Sequence, residues 1–312
     1  MSNSARYDAF VKQAQESGHR VCVVAHPCDE TSLGAALEAG RLGLFVPVLV
    51  GPLARIQALA QAHGFDLDGI QIIDAPHSHA SAELAVEEVQ AGRATLLMKG
   101  SLHTDELIHA VLQHNGGLRT GRRLSHVFIM DVPNHDDLLF ITDAAINILP
   151  DLETKADIVR NAIDLHHALG LGEPRVAILS AVEQITAKIP STIDAAALCK
   201  MADRGQILGG ILDGPLALDN AISPEAAQMK GIVSPVAGRA QVLVVPDLEA
   251  GNMLAKNLSF LAGASAAGVV AGAKVPIILT SRADSAQARL ASCAVGALFS
   301  RWLEQAAVKG VA

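Results

Sequence analysis

The chain has few aromatic residues, few cysteines and no excess of positive charge. Aromatic residues make up only 3% of its 312 residues, whereas 50% are hydrophobic, so the interior must be built from alanine, valine, isoleucine and leucine. That composition suits α/β layers. The formal charge of -8 and the lack of a basic stripe argue against a surface for nucleic-acid phosphates. The sequence therefore predicts a small-molecule partner and no nucleic acid.

The cysteines and histidines do not form the patterns of a metal site. Cys22, Cys28, Cys199 and Cys293 lie far apart without a C-x-x-C pair, which predicts free thiols in a reducing cytoplasm. The histidines show no helical i,i+4 pairing with a carboxylate ligand, so no metal site is predicted. The chain also lacks a G-x-S-x-G elbow, a Walker loop and a G-x-G-x-x-G fingerprint, which argues against hydrolases, nucleoside triphosphatases and ordinary dinucleotide-binding folds.

No hydrophobic run is long enough for a membrane span. Residues 258–273 come closest, but they contain serines and are shorter than the ~20 apolar residues that a bilayer requires. They are predicted to form a helix end, a glycine turn and a buried strand. The first residues are polar, which predicts no signal peptide. We expect a cytoplasmic protein without membrane contact.

Short apolar runs alternate with segments of helical period along the whole chain. Because these runs are continuous rather than alternating, they predict mostly parallel sheets covered by helices. The length predicts two lobes of about 150 residues each, and hence a cleft. We place a first lobe at 1–142 plus 285–312 and a second at 143–284. Strands are predicted at 21–25, 46–50, 71–73, 95–98, 126–130, 138–142, 175–179, 207–212, 242–245, 268–271 and 275–279.

A polar corner follows the predicted strand 275–279. Ser281 and Arg282 stand there before a long helix, with Asp284 close behind. The free N–H groups of a helix start and a guanidinium fork would together suit a phosphate. The alternative is that Ser281 or Asp284 only caps the helix and that Arg282 pairs with a surface carboxylate. The pattern leaves both readings open.

Two further segments could hold an anion. Lys99, Gly100 and Ser101 follow the strand 95–98, and the glycine would let a ligand approach the backbone, although turns of this kind commonly use glycine. The cluster from Arg119 to Arg123, which includes Arg122, is the densest group of basic residues in an acidic chain. A solvated loop is the alternative for that cluster.

Three more polar positions are candidates. Asp213 begins an Asp-Gly-Pro sequence after the predicted strand 207–212, which predicts a turn with a carboxylate at its start. Asn252 and Lys256 lie four residues apart on one helix face, with an exposed polar stripe as the alternative. Cys28 follows His26 in an apparent nucleophile pair, but the neighbouring Asp29 is explained more simply as a helix cap.

Four blocks in the same order resemble the phosphate acetyltransferase and phosphate butyryltransferase family. They are residues 213–221, 234–238, 246–252 and 279–285, and the resemblance runs over nearly the whole chain. It implies transfer of a short acyl group between coenzyme A and inorganic phosphate by direct displacement in a ternary complex. It also implies coenzyme A as a substrate, no resident cofactor or metal, and a homodimer.

The fold implied by the resemblance is two α/β/α lobes similar to the isocitrate and isopropylmalate dehydrogenases, with the active-site cleft between them. Carried over by position, Ser281 would hydrogen-bond the reacting thiol or carbonyl and Arg282 would hold phosphate. The residues that match the family's cleft-lining blocks are Asp213, Asn252 and Lys256, and either Arg119 or Arg123 would contact a phosphate-bearing ligand.

The chain departs from the acetyl branch at one position. Ala288 stands where that branch carries its proposed base, and Asp284 is the nearest carboxylate. Acyl length stays open, because the blocks at 213–221 and 279–285 look more like the butyryl branch. Two alternatives remain open as well: an NAD-dependent dehydrogenase of the related fold, and a catalytically silent homologue that binds acyl phosphate or coenzyme A.

Overall fold

The chain divides into two compact units. The structure is a computed structural model that describes residues 5–16, 18, 20–113, 117–280 and 284–309. Unit 1 comprises Met1–Arg122 and Ala267–Ala312, and unit 2 comprises Arg123–Ala266. Unit 2 thus begins and ends earlier along the chain than the predicted lobe 143–284.

Unit 1 alternates strands and helices around a mostly parallel sheet. Its strands are β1 (Val21–Ala25), β2 (Val46–Gly51), β3 (Gln71–Asp74), β4 (Leu96–Lys99), most of β10 (Ser265–Ala271) and β11 (Ile277–Ile278), in the order β3-β2-β1-β4-β11-β10. Only β10 runs antiparallel to its neighbour β11 among these pairs of described strands. Its helices are α1 (Ala5–Gln15), α2 (Glu30–Arg41), α3 (Leu53–His63), α4 (Ser78–Gln90), α5 (Thr104–Leu112) and α11 (Ala286–Lys309).

Unit 2 has the same kind of layering. Its strands are β5 (Ser125–Asp131), β6 (Leu139–Thr142), β7 (Arg175–Leu179), β8 (Ile211–Leu216) and β9 (Val242–Val244), in the order β5-β6-β9-β7-β8. A hairpin joins the antiparallel β5 and β6, and the remaining pairs are parallel. The helices are α6 (Leu152–Ala168), α7 (Pro190–Asp203), α8 (Leu218–Ile222), α9 (Pro224–Met229) and α10 (Leu248–Phe260).

The buried positions explain why these segments form strands and helices. Every residue of β1 after Val21 is buried, and the interior consists mainly of alanine, valine, leucine and isoleucine side chains. Asp29 caps α2 by accepting a hydrogen bond from Ser32 N at 2.7 Å, and Asp151 caps α6 by accepting one from Thr154 N at 2.9 Å. The prediction of an α/β fold with mostly parallel sheets is confirmed.

The prediction around Asp213 is wrong in its local structure. The strand lies at Ile211–Leu216 instead of 207–212, so Asp213 is inside β8 and does not begin a turn after it. Pro215 is tolerated because β8 is the edge strand of its sheet, where a missing N–H need not cost a ladder hydrogen bond. Gly214 packs tightly, since a Cβ there would lie 2.7 Å from the carbonyl oxygen of Ile178.

The region 258–273 has the predicted form. Helix α10 ends at Phe260, Gly263 has a φ of +70°, and β10 follows. Across the described ranges, no helix combines the length and apolar character needed to cross a bilayer.

Candidate active site

Three candidate residues lie together where β4 ends. Lys99 is the last residue of β4, and its Nζ donates hydrogen bonds to the carbonyl oxygens of Gly100 and Leu102 at 3.1 and 3.0 Å. The N–H of Ser101 donates to the carbonyl of His26, just beyond β1, at 2.7 Å. These bonds fix a short loop and one ammonium group at the carboxyl edge of the unit 1 sheet, the edge where α/β enzymes bind small ligands.

Gly100 is explained by packing. A Cβ at this position would lie 2.5 Å from the carbonyl oxygens of both Ala25 and His26. The N–H of Gly100 itself donates to Ala25 O at 2.8 Å. Glycine is therefore needed for the loop to cross the end of β1, whether or not a ligand also approaches the backbone.

Strand β11 ends at the same edge of the unit 1 sheet. It runs parallel beside β4, with Ile278 opposite Met98, so Leu279 and Thr280 leave the sheet next to Lys99. Ser281 and Arg282 lie outside the described residues, and their roles stay predictions.

The start of α11 is capped by a serine. The N–H of Ala288 donates to Ser285 Oγ at 3.1 Å. Asp284 is half-buried just before the helix, and its carbonyl oxygen accepts a hydrogen bond from the guanidinium of Arg289. Ala288 itself is buried. Asp284 thus lies two residues before α11, and its role as the base stays a prediction.

His26 also lies at this edge, and the sequence did not predict its backbone geometry. It is buried with a left-handed φ of 54°, and such strain in a non-glycine residue often marks functional segments. Its Nδ1 lies 3.1 Å from Ser81 Oγ, which donates to His77 O at 2.8 Å, so we assign the proton of this pair to Nδ1. Burial, and next the charge of Arg55, lower the pKa of His26, which leaves the ring neutral with Nε2 as an acceptor.

The two candidate arginines occupy different places. Arg119 forms a bridge with Ala273 in the connection that leads from β10 to β11. Since β11 is parallel to β4, this connection lies at the amino edge of the unit 1 sheet, opposite Lys99. Arg123 belongs to unit 2, where its N–H donates to Asp157 Oδ2 at 3.1 Å and its carbonyl accepts from Asn161 Nδ2 at 3.0 Å.

Asn252 and Lys256 lie on α10 of unit 2, as predicted. The Nδ2 of Asn252 donates to the carbonyl of Ala144 at 3.2 Å, and Lys256 is exposed one turn further on. Ala144 directly follows the carboxyl end of β6 and Asp143. Asn252 therefore stands near the carboxyl edge of the unit 2 sheet, and Lys256 lies one turn further along α10.

Asp213 is not brought next to Asn252. It lies on β8, two strands from β9, which corresponds to about 10 Å at the usual strand spacing. Its carboxylate accepts the N–H of Gly214 at 2.8 Å, and its charge adds to the effect of burial in raising the pKa of Cys199.

The cysteines are poor nucleophiles. Burial raises the pKa of Cys28, and raises the pKa of both Cys199 and Cys293 to about 12. A thiol with a raised pKa stays protonated at neutral pH and reacts slowly. Among the residues that the structure describes, no three or more His, Cys, Asp or Glu side chains are grouped so that they could hold a metal ion.

We expect His126 to make the fold acid-sensitive. Burial lowers its pKa to about 4, against about 6.5 in an unfolded chain. The folded state then binds fewer protons than the unfolded state. The contribution of neutral His126 to the free energy of unfolding is therefore fully present above pH 6.5 and is lost as the pH falls toward 4. Between pH 7 and pH 5, the free energy of unfolding of His126→Phe should fall by on the order of 2 kcal/mol less than that of the parent protein. Urea unfolding at both pH values measures this difference. The exposed His109→Phe serves as the control, and equal losses in all three proteins would contradict this assignment.

The fold defines a class, that of α/β proteins with mostly parallel sheets and polar residues at the carboxyl edges of those sheets. A family model described as "Phosphate acetyl/butaryl transferase" matches residues 77–297. The chain therefore belongs to the phosphate acetyl/butyryl transferase family and is an acyltransferase.

Individual relatives agree with this family. A protein named phosphate acetyltransferase from Rhizobium meliloti is 66% identical over 307 residues, which cover 98% of this chain and 97% of the relative. A phosphate butyryltransferase from Clostridium acetobutylicum is 40% identical over 292 residues, which cover 94% of this chain and 97% of the relative. The crystal structure of a branched-chain phosphotransacylase from Enterococcus faecalis V583 has a TM-score of 0.78 and 29% identity, covering 90% of this chain and 99% of its own. The predicted resemblance is confirmed.

Proposed function

We propose that this enzyme transfers an acetyl group between coenzyme A and inorganic phosphate while both substrates are bound. The family match across residues 77–297 is the observation that carries this proposal. The preference for acetyl over butyryl is supported by the higher identity to the relative named an acetyltransferase. We further propose that coenzyme A is a substrate, and that the reaction uses no metal and no resident cofactor.

The chemistry fits the residues at the edge of unit 1. The thiol sulfur attacks the acyl carbon of acyl phosphate, the C–S bond forms, and the C–O bond to phosphate breaks. The thiol must lose its proton, because a free thiol with a pKa near 8.5 is mostly protonated at neutral pH. We assign the departing phosphate to Arg282 and Lys99, the reacting thiol or carbonyl to Ser281, and the proton to Asp284. Holding both substrates in place supplies much of the remaining rate.

Other candidates are assigned to substrate binding. Gly100 and Ser101 belong to the loop beside Lys99. Asn252, Lys256 and Asp213 are proposed to line the binding region, as in the family blocks that they match. Between the arginines, Arg123 is preferred as a phosphate contact because Arg119 lies at the edge opposite Lys99.

We also propose a homodimer in the cytoplasm. Unit 2 exposes several large apolar side chains, and a second copy would bury some of them. Leu149 is 84% exposed, Phe260 73% and Leu261 82%. Size-exclusion chromatography with light scattering would test this assembly, and a monomer at all concentrations would refute it.

Thiol release tests the reaction directly. Coenzyme A esters with acyl chains of two, four and six carbons are mixed with phosphate, and free thiol is measured with a thiol reagent. We expect the fastest release from the two-carbon ester, and no release from any ester would overturn the proposal.

Asp284→Asn in the same assay should shift the pH profile if Asp284 takes the proton. Reduction of NAD at 340 nm would instead favour a dehydrogenase, and binding without turnover would favour a silent homologue.

A further inference from the structure

Asp143 is the centre of a hydrogen-bonded loop that directly follows β6. The residue is only 2% exposed. Its Oδ1 accepts hydrogen bonds from the N–H groups of His126, Ala145 and Ile146 at 3.1, 3.0 and 3.2 Å. Its Oδ2 accepts from the backbone N–H and from Nδ2 of Asn147 at 2.9 and 2.6 Å. Five donors on one buried carboxyl group fix the loop, because each donor would lose its partner if the acceptor were removed.

The loop is also anchored at its far side. Nδ2 of Asn147 donates a second hydrogen bond, to the carbonyl of Leu124 at 2.8 Å. The N–H of Val245 donates to Thr142 O at 2.9 Å, just before the loop. The loop 143–148 is therefore tied to the strands on both of its flanks.

Helix α10 is seated against this loop. The N–H of Leu248 donates to Ile148 O at 3.1 Å, and the Nδ2 of Asn252 donates to Ala144 O at 3.2 Å. A Cβ on Gly251 would lie 2.7 Å from Asp143 O, so α10 comes this close only because residue 251 is glycine. The direction of the Asn252 side chain thus depends on where the loop holds the Ala144 carbonyl.

We infer that Asp143 is a positioning residue for the transfer reaction, acting through loop 143–148 on the side-chain amide of Asn252. The inference rests on the proposed function, because it gives Asn252 a substrate contact. Among the described residues, Asn252 Nδ2 has Ala144 O as its one hydrogen-bond partner and Oδ1 has none. The second N–H and the oxygen of this amide are then available for a substrate. Asp143 itself is buried and enclosed by its donors, so the inferred role is to position Asn252 and not to contact substrate.

A double-mutant cycle tests the coupling. Asp143→Asn keeps the shape but replaces one acceptor oxygen by an N–H donor, which disturbs the bonds to Asn147. We expect Asp143→Asn to change the same kinetic parameter as Asn252→Ala, whether that is KM or kcat. The change should be at least about fivefold. The double variant should be no worse than Asn252→Ala alone. Multiplying effects in the double variant would overturn the inference, because a purely structural residue would add its loss independently.

Asp151→Asn is the matched control. Asp151 also accepts a backbone N–H, from Thr154, but it caps α6 and makes no contact with Asn252. Its variant should leave KM and kcat within about twofold of the parent enzyme. If Asp143→Asn does not fold, Asn147→Ala takes its place in the cycle, because it removes the side-chain donor from Asp143 Oδ2 together with the second hydrogen bond of that donor to Leu124 O.

A second measurement does not depend on activity. The side-chain amide of Asn252 is identified in a nuclear magnetic resonance spectrum of asparagine-labelled protein by its loss in Asn252→Ala. We expect this signal to move in Asp143→Asn and to stay in place in Asp151→Asn. An unmoved signal in Asp143→Asn would overturn the inference. Absence of thiol release by the parent enzyme would instead defeat the proposed function, and the amide signal would still decide whether Asp143 orients Asn252.

Discussion

Arg282→Ala is expected to lower the turnover of acyl-CoA with phosphate by at least about tenfold while the fold stays intact. The reason is the loss of a guanidinium that, by the family resemblance, neutralises phosphate as negative charge develops on it. A group that acts mainly in the transition state should reduce kcat more than it changes KM. The measurement is steady-state thiol release, with circular dichroism to check the fold.

Two controls separate charge from geometry. Arg282→Lys keeps the positive charge but loses the planar fork, and should recover only part of the activity. Arg204→Ala removes an exposed arginine at the end of α7 and should have no effect. Full activity of Arg282→Ala would remove this residue from the mechanism.

Gly100→Ala is expected to destabilise the protein by about 3 kcal/mol or more. The new methyl group would meet the backbone oxygens of Ala25 and His26 at 2.5 Å, and neither atom is a flexible side-chain end that could move aside. The loop that carries Lys99 and Ser101 would have to shift. Activity should therefore fall together with the urea midpoint.

Gly121→Ala provides the comparison for that substitution. A Cβ at Gly121 has no atom within 4 Å, and the residue does not have a positive φ. This variant should stay within about 0.5 kcal/mol of the parent protein. Equal urea midpoints for the variants at positions 100 and 121 would contradict this prediction. They would show that the loop after β4 can shift to accept a methyl group at residue 100.

Strands and helices with strong patterns were predictable from the sequence. The strands at Val21–Ala25 and Arg175–Leu179 have the predicted bounds. Their apolar residues are continuous or periodic, and clear turn residues bound them. Such signals are local, so they survive in the folded protein.

Features that depend on tertiary context were not predictable. The edge strand β8 contains an Asp-Gly-Pro sequence, which is typical of a turn, and α8 and α9 are too short to show a helical period. His26 gives no sign in the sequence of its positive φ, because that conformation is imposed by the loop packed against it.

The candidate site was predictable in part. Lys99 stands out in the sequence because it ends a buried strand, and Asn252 because it lies on a helix that follows one. The structure places both near the carboxyl edge of their sheets. Asp143 carries the same kind of signal, a carboxylate directly after the apolar strand β6. The sequence does not reveal the five donors around its carboxyl group, on which the inferred positioning role rests.

The protonated state of the cysteines has a consequence for the proposed reaction of a thioester. In the proposed reaction, the thiols of Cys199 and Cys293, with their pKa raised to about 12, are weaker competitors than coenzyme A for the activated acyl carbon. Self-acylation and mixed disulfides with oxidised coenzyme A are disfavoured for the same reason. Burial of these two thiols would therefore protect the enzyme from its own substrate in the proposed reaction.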